Sequence, residues 1–195
     1  MKRSAVFIVF ISLVAFPAAR SARAQAVESA DEPGLHLRVG GMASGFEPDA
    51  GAGVTSLKPN GSSPWLIGAG VYTDLHLTHW IQLEAESRWL RFRQFGGEHE
   101  DNYLIGPRVP IYRIGHRGEI YGKALVGLGN MTFANDPGSW GHFTALAFGG
   151  SVDFRMTRKL TFRAVDFEYQ DWPVWLPGQS LSPYGVSVGA SYRVF

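Results

Sequence analysis

The sequence contains no cysteine, and it has no excess of charge of either sign. The absence of cysteine excludes disulfides, thiol catalysis and metal sites built from cysteine ligands. The 18 Lys and Arg residues nearly balance the 17 Asp and Glu residues, and both kinds are mixed along the chain. Since there is no basic block or stripe, the sequence argues against a nucleic-acid-binding protein.

The chain also lacks helical patterns and long hydrophobic runs. Apolar residues at helical spacing never continue beyond two turns, because Gly or Pro interrupts them every few residues. The longest apolar stretch, Ser4–Phe16, covers about 13 residues, fewer than the ~20 that a membrane-spanning helix needs. By contrast, the chain is rich in glycine (24 residues) and in aromatic residues (13%). This combination is typical of a β-barrel.

The first 26 residues have the pattern of a secretory signal peptide. Lys2 and Arg3 precede the apolar stretch, and Ala24-Gln25-Ala26 supplies the small residues of a cleavage site. An exported chain without disulfides is typical of a bacterial envelope protein. The sequence therefore predicts a signal peptide at 1–26, a polar leader at 27–33 and one β-barrel domain at 34–195.

The stretch from Ala145 to Asp171 reads as two strands joined by a tight basic turn at 156–159. Residues of its first arm alternate between two faces, which is the period of a β-strand. One face is bulky and apolar, and the other is small or charged. A membrane barrel turns the bulky face to lipid and the small or charged face inward. The bulky face carries Leu146, Phe148, Val152 and Phe154, and the other carries Ala145, Ala147, Gly149, Ser151, Asp153 and Arg155.

The same inverted alternation recurs along the chain and predicts eight strands. Long connections (44–64, 93–100, 134–142 and 172–180) alternate with short ones (76–79, 113–118 and 156–159). This asymmetry predicts an all-β fold, an eight-stranded antiparallel up-and-down transmembrane β-barrel, with both chain ends at the short-turn rim. The predicted strands are Leu35–Ala43, Trp65–Leu75, Trp80–Phe92, Asp101–Tyr112, Glu119–Phe133, the two arms of 145–171, and Leu181–Phe195.

Two stretches carry a resemblance to a known family. The hairpin VDFRMTRKLTFRAVDFEYQ and the ending SYRVF resemble the eight-stranded outer-membrane β-barrels of the outer-membrane protein A type. The family usually has a tyrosine two residues before its final aromatic, whereas here Tyr192 is three residues before Phe195. The resemblance implies a bacterial outer-membrane location, contact with lipid and lipopolysaccharide, and recognition of the last strand by the barrel assembly machinery.

Charged residues at inward positions predict a polar lumen. Eight strands enclose a space that side chains can fill, so the sequence favours a salt-bridge network, with a gated ion pathway as the alternative. Arg163 and Asp166 cannot both point inward on a regular strand, which predicts a bulge near Ala164–Val165. The predicted lumen network comprises Arg38, Asp74, Glu84, Glu86, Arg88, Arg108, Lys123, Asp153, Arg155, Arg163, Asp166 and Glu168.

Aromatic residues near the strand ends predict girdles at the two membrane interfaces. Four apolar residues are predicted at loop tips, where they are candidates for contact with a partner or with lipopolysaccharide. The interface set is Trp65, Trp80, Trp89, Tyr103, Tyr112, Phe143, Tyr184 and Tyr192, and the loop set is Phe95, Trp140, Trp172 and Trp175.

No motif indicates a catalytic, cofactor-binding or metal site, although His76 and His79 flank one turn. The sequence therefore predicts no enzyme and no cofactor, and favours a structural, adhesive or loop-mediated binding role. The alternatives are a lipid-modifying enzyme with a site at the rim or outer wall, a small gated pore, and a soluble lipocalin-like barrel that would hide its bulky face inside.

Overall fold

A computed structural model of the chain describes residues 35–48, 65–92, 99–132, 140–176 and 179–195. The predicted signal peptide and leader lie outside these residues. The described part consists of antiparallel strands joined by turns. The strands are β1 His36–Glu47, β2 Leu66–His76, β3 Gln82–Phe92, β4 His99–Ile114, β5 Gly118–Thr132, β6 Trp140–Arg155, β7 Leu160–Leu176, β8 Gln179–Leu181 and β9 Tyr184–Arg193.

Eight of these strands close into a barrel. Each strand from β1 to β7 pairs with the next, β9 pairs with both β7 and β1, and no sheet edge remains in the wall. The three-residue β8 pairs only with the end of β7. Among the described residues no helix is long and apolar enough to cross a membrane. The predicted eight-stranded antiparallel fold is confirmed.

Four strands, β1, β4, β6 and β7, extend further towards the long connections than predicted, whereas the last wall strand begins later, at Tyr184 instead of Leu181. β1 runs to Glu47, where Phe46 lies opposite Leu66, and β6 already begins at Trp140, opposite Thr132. The predicted loop at 172–180 is wrong, because β7 continues to Leu176 and folds back onto β8. Pairing with a neighbouring strand continues the ladder through stretches whose Gly and Ser content suggested a loop.

The predicted faces are observed. Outward side chains such as Val126, Phe148 and Phe167 expose 48–53% of their surface, whereas inward charged residues are buried. This arrangement is the inverse of a lipocalin-like barrel, whose bulky face would be hidden. The predicted bulge is also present: Val165 lies opposite Val152 and Arg163 opposite Asp153, so that Ala164 is an additional residue.

Two of the short turns share one construction. The hydroxyl oxygen of Thr78 accepts a hydrogen bond from the backbone N–H of Ile81 (3.2 Å), and that of Thr157 accepts one from Leu160 (2.9 Å). A threonine side chain that bonds the backbone in this way stabilises a tight turn. The third turn has Gly115 at a φ of 60°, a conformation that glycine adopts without strain.

Candidate functional site: the polar lumen

The lumen brings together charged side chains from six strands of the wall. Each lies at an inward position of the strand alternation, and each is at most 6% exposed. Burial of this kind is tolerated only when opposite charges and hydrogen bonds compensate one another. The cluster contains four cations (Arg88, Arg108, Lys123 and Arg163) and six carboxylates (Asp74, Glu84, Glu86, Asp153, Asp166 and Glu168).

Arg163 lies at the centre of the part of this cluster that is nearer the short-turn rim. One guanidinium nitrogen is 3.1 Å from both carboxylate oxygens of Asp74, and the other is 3.2 Å from Glu84. Its Nε is 3.3 Å from Asp153, and Nη1 is 3.0 Å from Asp166. The bulge makes the last contact possible, since it turns both Arg163 and Asp166 inward.

Lys123 joins the part of the cluster nearer the short-turn rim to the part nearer the long connections. Its ammonium nitrogen is 3.2 Å from both Glu84 and Glu86. It is also 3.0 Å from Asp166 and 2.9 Å from Glu168. Oxygens of Glu84, Glu86 and Asp166 are close enough together to hold a metal ion. In this structure the ammonium group of Lys123 contacts all three of these carboxylates and supplies the positive charge that balances them.

Arg108 and Arg88 complete the cluster. Arg108 lies 2.7 Å from Asp153 and 3.1 Å from Glu84, and its guanidinium stacks over the ring of Tyr121 at 3.5 Å. It also donates to Gln82 and Ser151. Arg88 lies 2.8 Å from Glu86 and 3.0 Å from Glu168, and it stacks over Phe46 at 4.3 Å. Arginine suits these sites because its planar fork contacts carboxylates and aromatic faces simultaneously.

The side of the lumen formed by β1 and β9 contains small residues. Ser44 and Ser187 share a hydrogen bond of 2.8 Å. Tyr72 lies over Gly40, where an added Cβ would come within 2.6 Å of its ring. The Tyr72 ring in turn lies 4.0 Å from the guanidinium carbon of Arg163. Glycine on β1 therefore makes the space that Tyr72 fills beside the ionic cluster.

Towards the long connections the lumen becomes mainly apolar, with the buried polar side chains of Glu100 and Asn102 at the same level. Phe46, Leu66 and Leu90 form one buried cluster. A second cluster contains Leu104, Leu125, Met131, Ala145, Ala147, Trp172 and Leu181. The loop prediction for Trp172 is wrong, because this residue is 0% exposed and packs inside the barrel.

Trp172 is linked to the charged cluster through Gln170. The indole N–H of Trp172 donates to Gln170 (2.8 Å), whose amide donates to Glu168 (2.7 Å). Hydrogen bonds along β7 thus connect the apolar cluster that contains Trp172 to the charged cluster.

Most of the predicted lumen residues lie where the alternation placed them. Eleven of the twelve are buried; Arg38 lies opposite Asp74 on the neighbouring strand. The exception is Arg155, which is exposed because it is the last residue of β6, at the rim. The predicted network left out uncharged and loop-assigned residues that the structure places on the same faces. These are Glu100, Asn102, Tyr121 and Gln170, together with Gln82 and Ser151, which the alternation places on the inward faces of their strands.

The predicted interface aromatics lie near the two rims, with one exception. Trp65 contacts Tyr184 edge-on, and the Trp89 indole donates to the Tyr103 hydroxyl (3.2 Å), both towards the long connections. At the short-turn rim, the exposed members are Trp80, Tyr112 and Tyr192.

Phe143 is the exception. It points inward and stacks on Trp172, with ring centroids 6.1 Å apart. The side chains of Trp140 and Trp175, and all of Phe95, lie outside the described residues. His76 stacks on His36 at 3.8 Å, across the β1–β2 pair.

Neither a known protein family nor a curated protein matches the chain. Several solved structures do. The N-terminal barrel domain of Pseudomonas aeruginosa OprF superposes with a TM-score of 0.53 at 13% identity, over 82% of this chain and 99% of that one.

Two further structures agree. Neisserial surface protein A has a TM-score of 0.55 at 10% identity, covering 81% of this chain and 96% of that one. OprG from Pseudomonas aeruginosa has a TM-score of 0.52 at 11% identity, covering 83% and 96%. At these identities the likeness is one of fold. The chain has the eight-stranded transmembrane β-barrel fold of the outer-membrane protein A type.

Proposed function

We propose that this protein is an integral barrel of the bacterial outer membrane with a closed lumen, which presents its long connections for a structural, adhesive or binding role. The observation that carries the proposal is the buried ionic cluster. Its four cations and six carboxylates come from β2 to β7 and contact one another across the lumen. A barrel of eight strands has an interior that side chains can fill.

The geometry favours a rigid filling over an ion pathway. Each cation contacts at least two carboxylates, and the apolar layer with Phe46 and Trp172 lies between this cluster and the long connections. Opening a path would separate buried opposite charges, and breaking one such pair typically costs about 3–5 kcal/mol.

The outer wall supports a position in lipid. Large apolar side chains are exposed on every wall strand except β3, far more than a water-soluble monomer tolerates. Tyr and Trp side chains flank this belt at both rims, as they do at membrane interfaces.

Export and assembly complete the proposal. Residues 1–26 act as the signal peptide. Lipid and lipopolysaccharide contact the wall and the long connections. The assembly machinery recognises the last strand, whose terminal Phe195 is exposed.

Two measurements test the proposal. The first is membrane fractionation with urea washing, followed by gel migration with and without boiling. We expect the protein to stay with the outer membrane and to change its migration only after boiling, because closed barrels resist detergent. Protein in the aqueous fraction would contradict the location.

The second measurement is single-channel recording in planar bilayers, with a phospholipid and lipid A hydrolysis assay on the same preparation. We expect no discrete conductance steps and no hydrolysis. Reproducible steps would replace the closed lumen by a pore, and hydrolysis would replace the binding role by an enzyme.

A further inference from the structure

The short-turn rim carries basic side chains concentrated on one side. The β4–β5 and β6–β7 turns are neighbours, because the N–H of Arg155 donates to the carbonyl of Arg117 (2.7 Å). The N–H of Arg193 donates to the carbonyl of Lys159 (2.7 Å), which places the end of β9 beside the second turn. We define the basic arc as Arg113, Arg117, Arg155, Arg158, Lys159 and Arg193.

One acidic residue, Glu119, lies among the described residues 113–119, 155–160 and 193–195 that form this part of the rim. Glu119 lies 3.4 Å from Arg113, and the backbone carbonyl of Phe195 accepts a hydrogen bond from Arg193. The three turn residues Arg117, Arg158 and Lys159 are exposed. Lys159 lies 5.6 Å from the ring centroid of Tyr192, on the outer wall. The positive charge therefore faces outward as well as along the barrel axis.

The opposite side of the same rim is a natural comparison. The β2–β3 turn is also capped by a threonine, yet Thr78 is followed by His79 and Trp80 where Thr157 is followed by Arg158 and Lys159. The turn construction is thus independent of the charge that it carries. The basic residues of the second turn are not required by its backbone geometry.

We propose that the basic arc binds the anionic headgroup of a glycerophospholipid in the membrane leaflet at the short-turn rim. The inference rests on the proposed membrane location. The arc adjoins the apolar belt, with exposed Tyr112, Met156 and Leu160 beside it. The turns are short, so the cations stay at headgroup depth. Basic residues at this depth attract anionic lipid, and nearby aromatic rings anchor at the same level.

The test measures binding of short-chain phosphatidylglycerol to the purified barrel in nonionic detergent at pH 8. Wild-type protein should bind it at least about tenfold more tightly than short-chain phosphatidylcholine, and 0.5 M NaCl should remove the difference because salt screens exposed charges. R158H/K159W converts the turn to the residues of its neutral counterpart. Combined with R117Q, it should lose most of the preference, whereas R158K/K159R should retain it.

Several outcomes would overturn the inference. These are equal affinity for the two lipids, an unchanged preference in the triple variant, equally tight binding of inorganic phosphate, or binding of soluble peptidoglycan fragments in place of the lipid. The shift in gel migration on boiling verifies that each variant is folded. The lipid-binding assay uses micelles, so its result is independent of the conductance and fractionation measurements. A conducting barrel that prefers phosphatidylglycerol would contradict only the proposed closed lumen. A membrane barrel without this preference would contradict only the proposed lipid binding by the basic arc.

Discussion

At the scale of single residues, Lys123 and Arg163 each have four carboxylate partners in the lumen, and Lys123 does so with a single ammonium nitrogen. It contacts Glu84, Glu86, Asp166 and Glu168, all of them buried. The cluster already contains two more carboxylates than cations. Removing this ammonium would leave like charges facing one another without water to separate them.

Lys123→Met should therefore destabilise the barrel strongly although it conserves volume. We expect a loss of about 3–5 kcal/mol in the free energy of unfolding, the usual cost of breaking a buried ion pair from one side. Urea titration of the barrel in lipid vesicles, followed by tryptophan fluorescence, measures it. Lys159→Met at the exposed turn is the control and should change stability by less than about 0.5 kcal/mol. Equal stabilities for the two variants would contradict the assigned role of Lys123.

Two adjacent glycines of β1 provide a matched pair for the packing of Tyr72. A Cβ on Gly40 would come within 2.6 Å of the Tyr72 ring and 2.7 Å of the Ala190 carbonyl oxygen, whereas one on Gly41 meets nothing closer than 3.9 Å. Gly40→Ala should cost about 1–3 kcal/mol through overpacking. Gly41→Ala should cost far less in the same urea titration. A reversed order would show that Tyr72 does not occupy the lumen as described.

At the scale of elements, the bulge in β7 sets the composition of the lumen. If β7 were regular and had no bulge at Ala164, alternation would send either Arg163 or Asp166 to the lipid face. The bulge was predictable because both charges are visible in the sequence at incompatible positions. The inward turn of Trp172 was not predictable in this way, since its face depends on whether β7 continues, and that depends on β8.

Deleting Ala164 should remove the bulge and leave the barrel able to fold, because Arg163 and Asp166 would then be two residues apart and both would point inward on a regular strand. Deleting Ala164 and Val165 together should abolish folding, because Arg163 and Asp166 would become adjacent and one of them would leave the lumen, and breaking a buried ion pair from one side costs about 3–5 kcal/mol. The measurement is the shift in gel migration on boiling after refolding into detergent. Ala164→Val keeps the residue count and serves as the control that should fold. A single deletion that abolishes the shift, or a double deletion that retains it, would contradict this account of the bulge.

At the scale of the whole molecule, β9 closes the barrel between β7 and β1. The N–H of Val194 donates to the carbonyl of Leu37 (2.8 Å), so pairing continues beyond the end of β9. The Phe195 side chain, in contrast, is 57% exposed and adds little to the packed interior.

Phe195→Ala should reduce assembly of the barrel in cells and leave the stability of the folded barrel nearly unchanged. We expect a reduced amount of folded protein in the outer membrane of cells, because the proposed recognition of the last strand is weakened. Refolded protein should unfold within about 0.5 kcal/mol of wild type, as for other exposed substitutions. Immunoblots of unboiled membranes and urea titration in vitro supply the two readouts. Normal assembly in cells would contradict recognition through Phe195.

The sequence by itself determined the number of wall strands, their faces, the short turns and the charged lumen, because alternation and turn chemistry are properties of neighbouring residues. Only the tertiary structure decided how far each strand extends, that Trp172 and Phe143 turn inward, and that Arg155 ends at the rim. These features depend on which strand lies alongside in space and in what register. It also decided the partners of each buried charge, since eight strands must close into a ring before Arg163 and Lys123 meet their carboxylates.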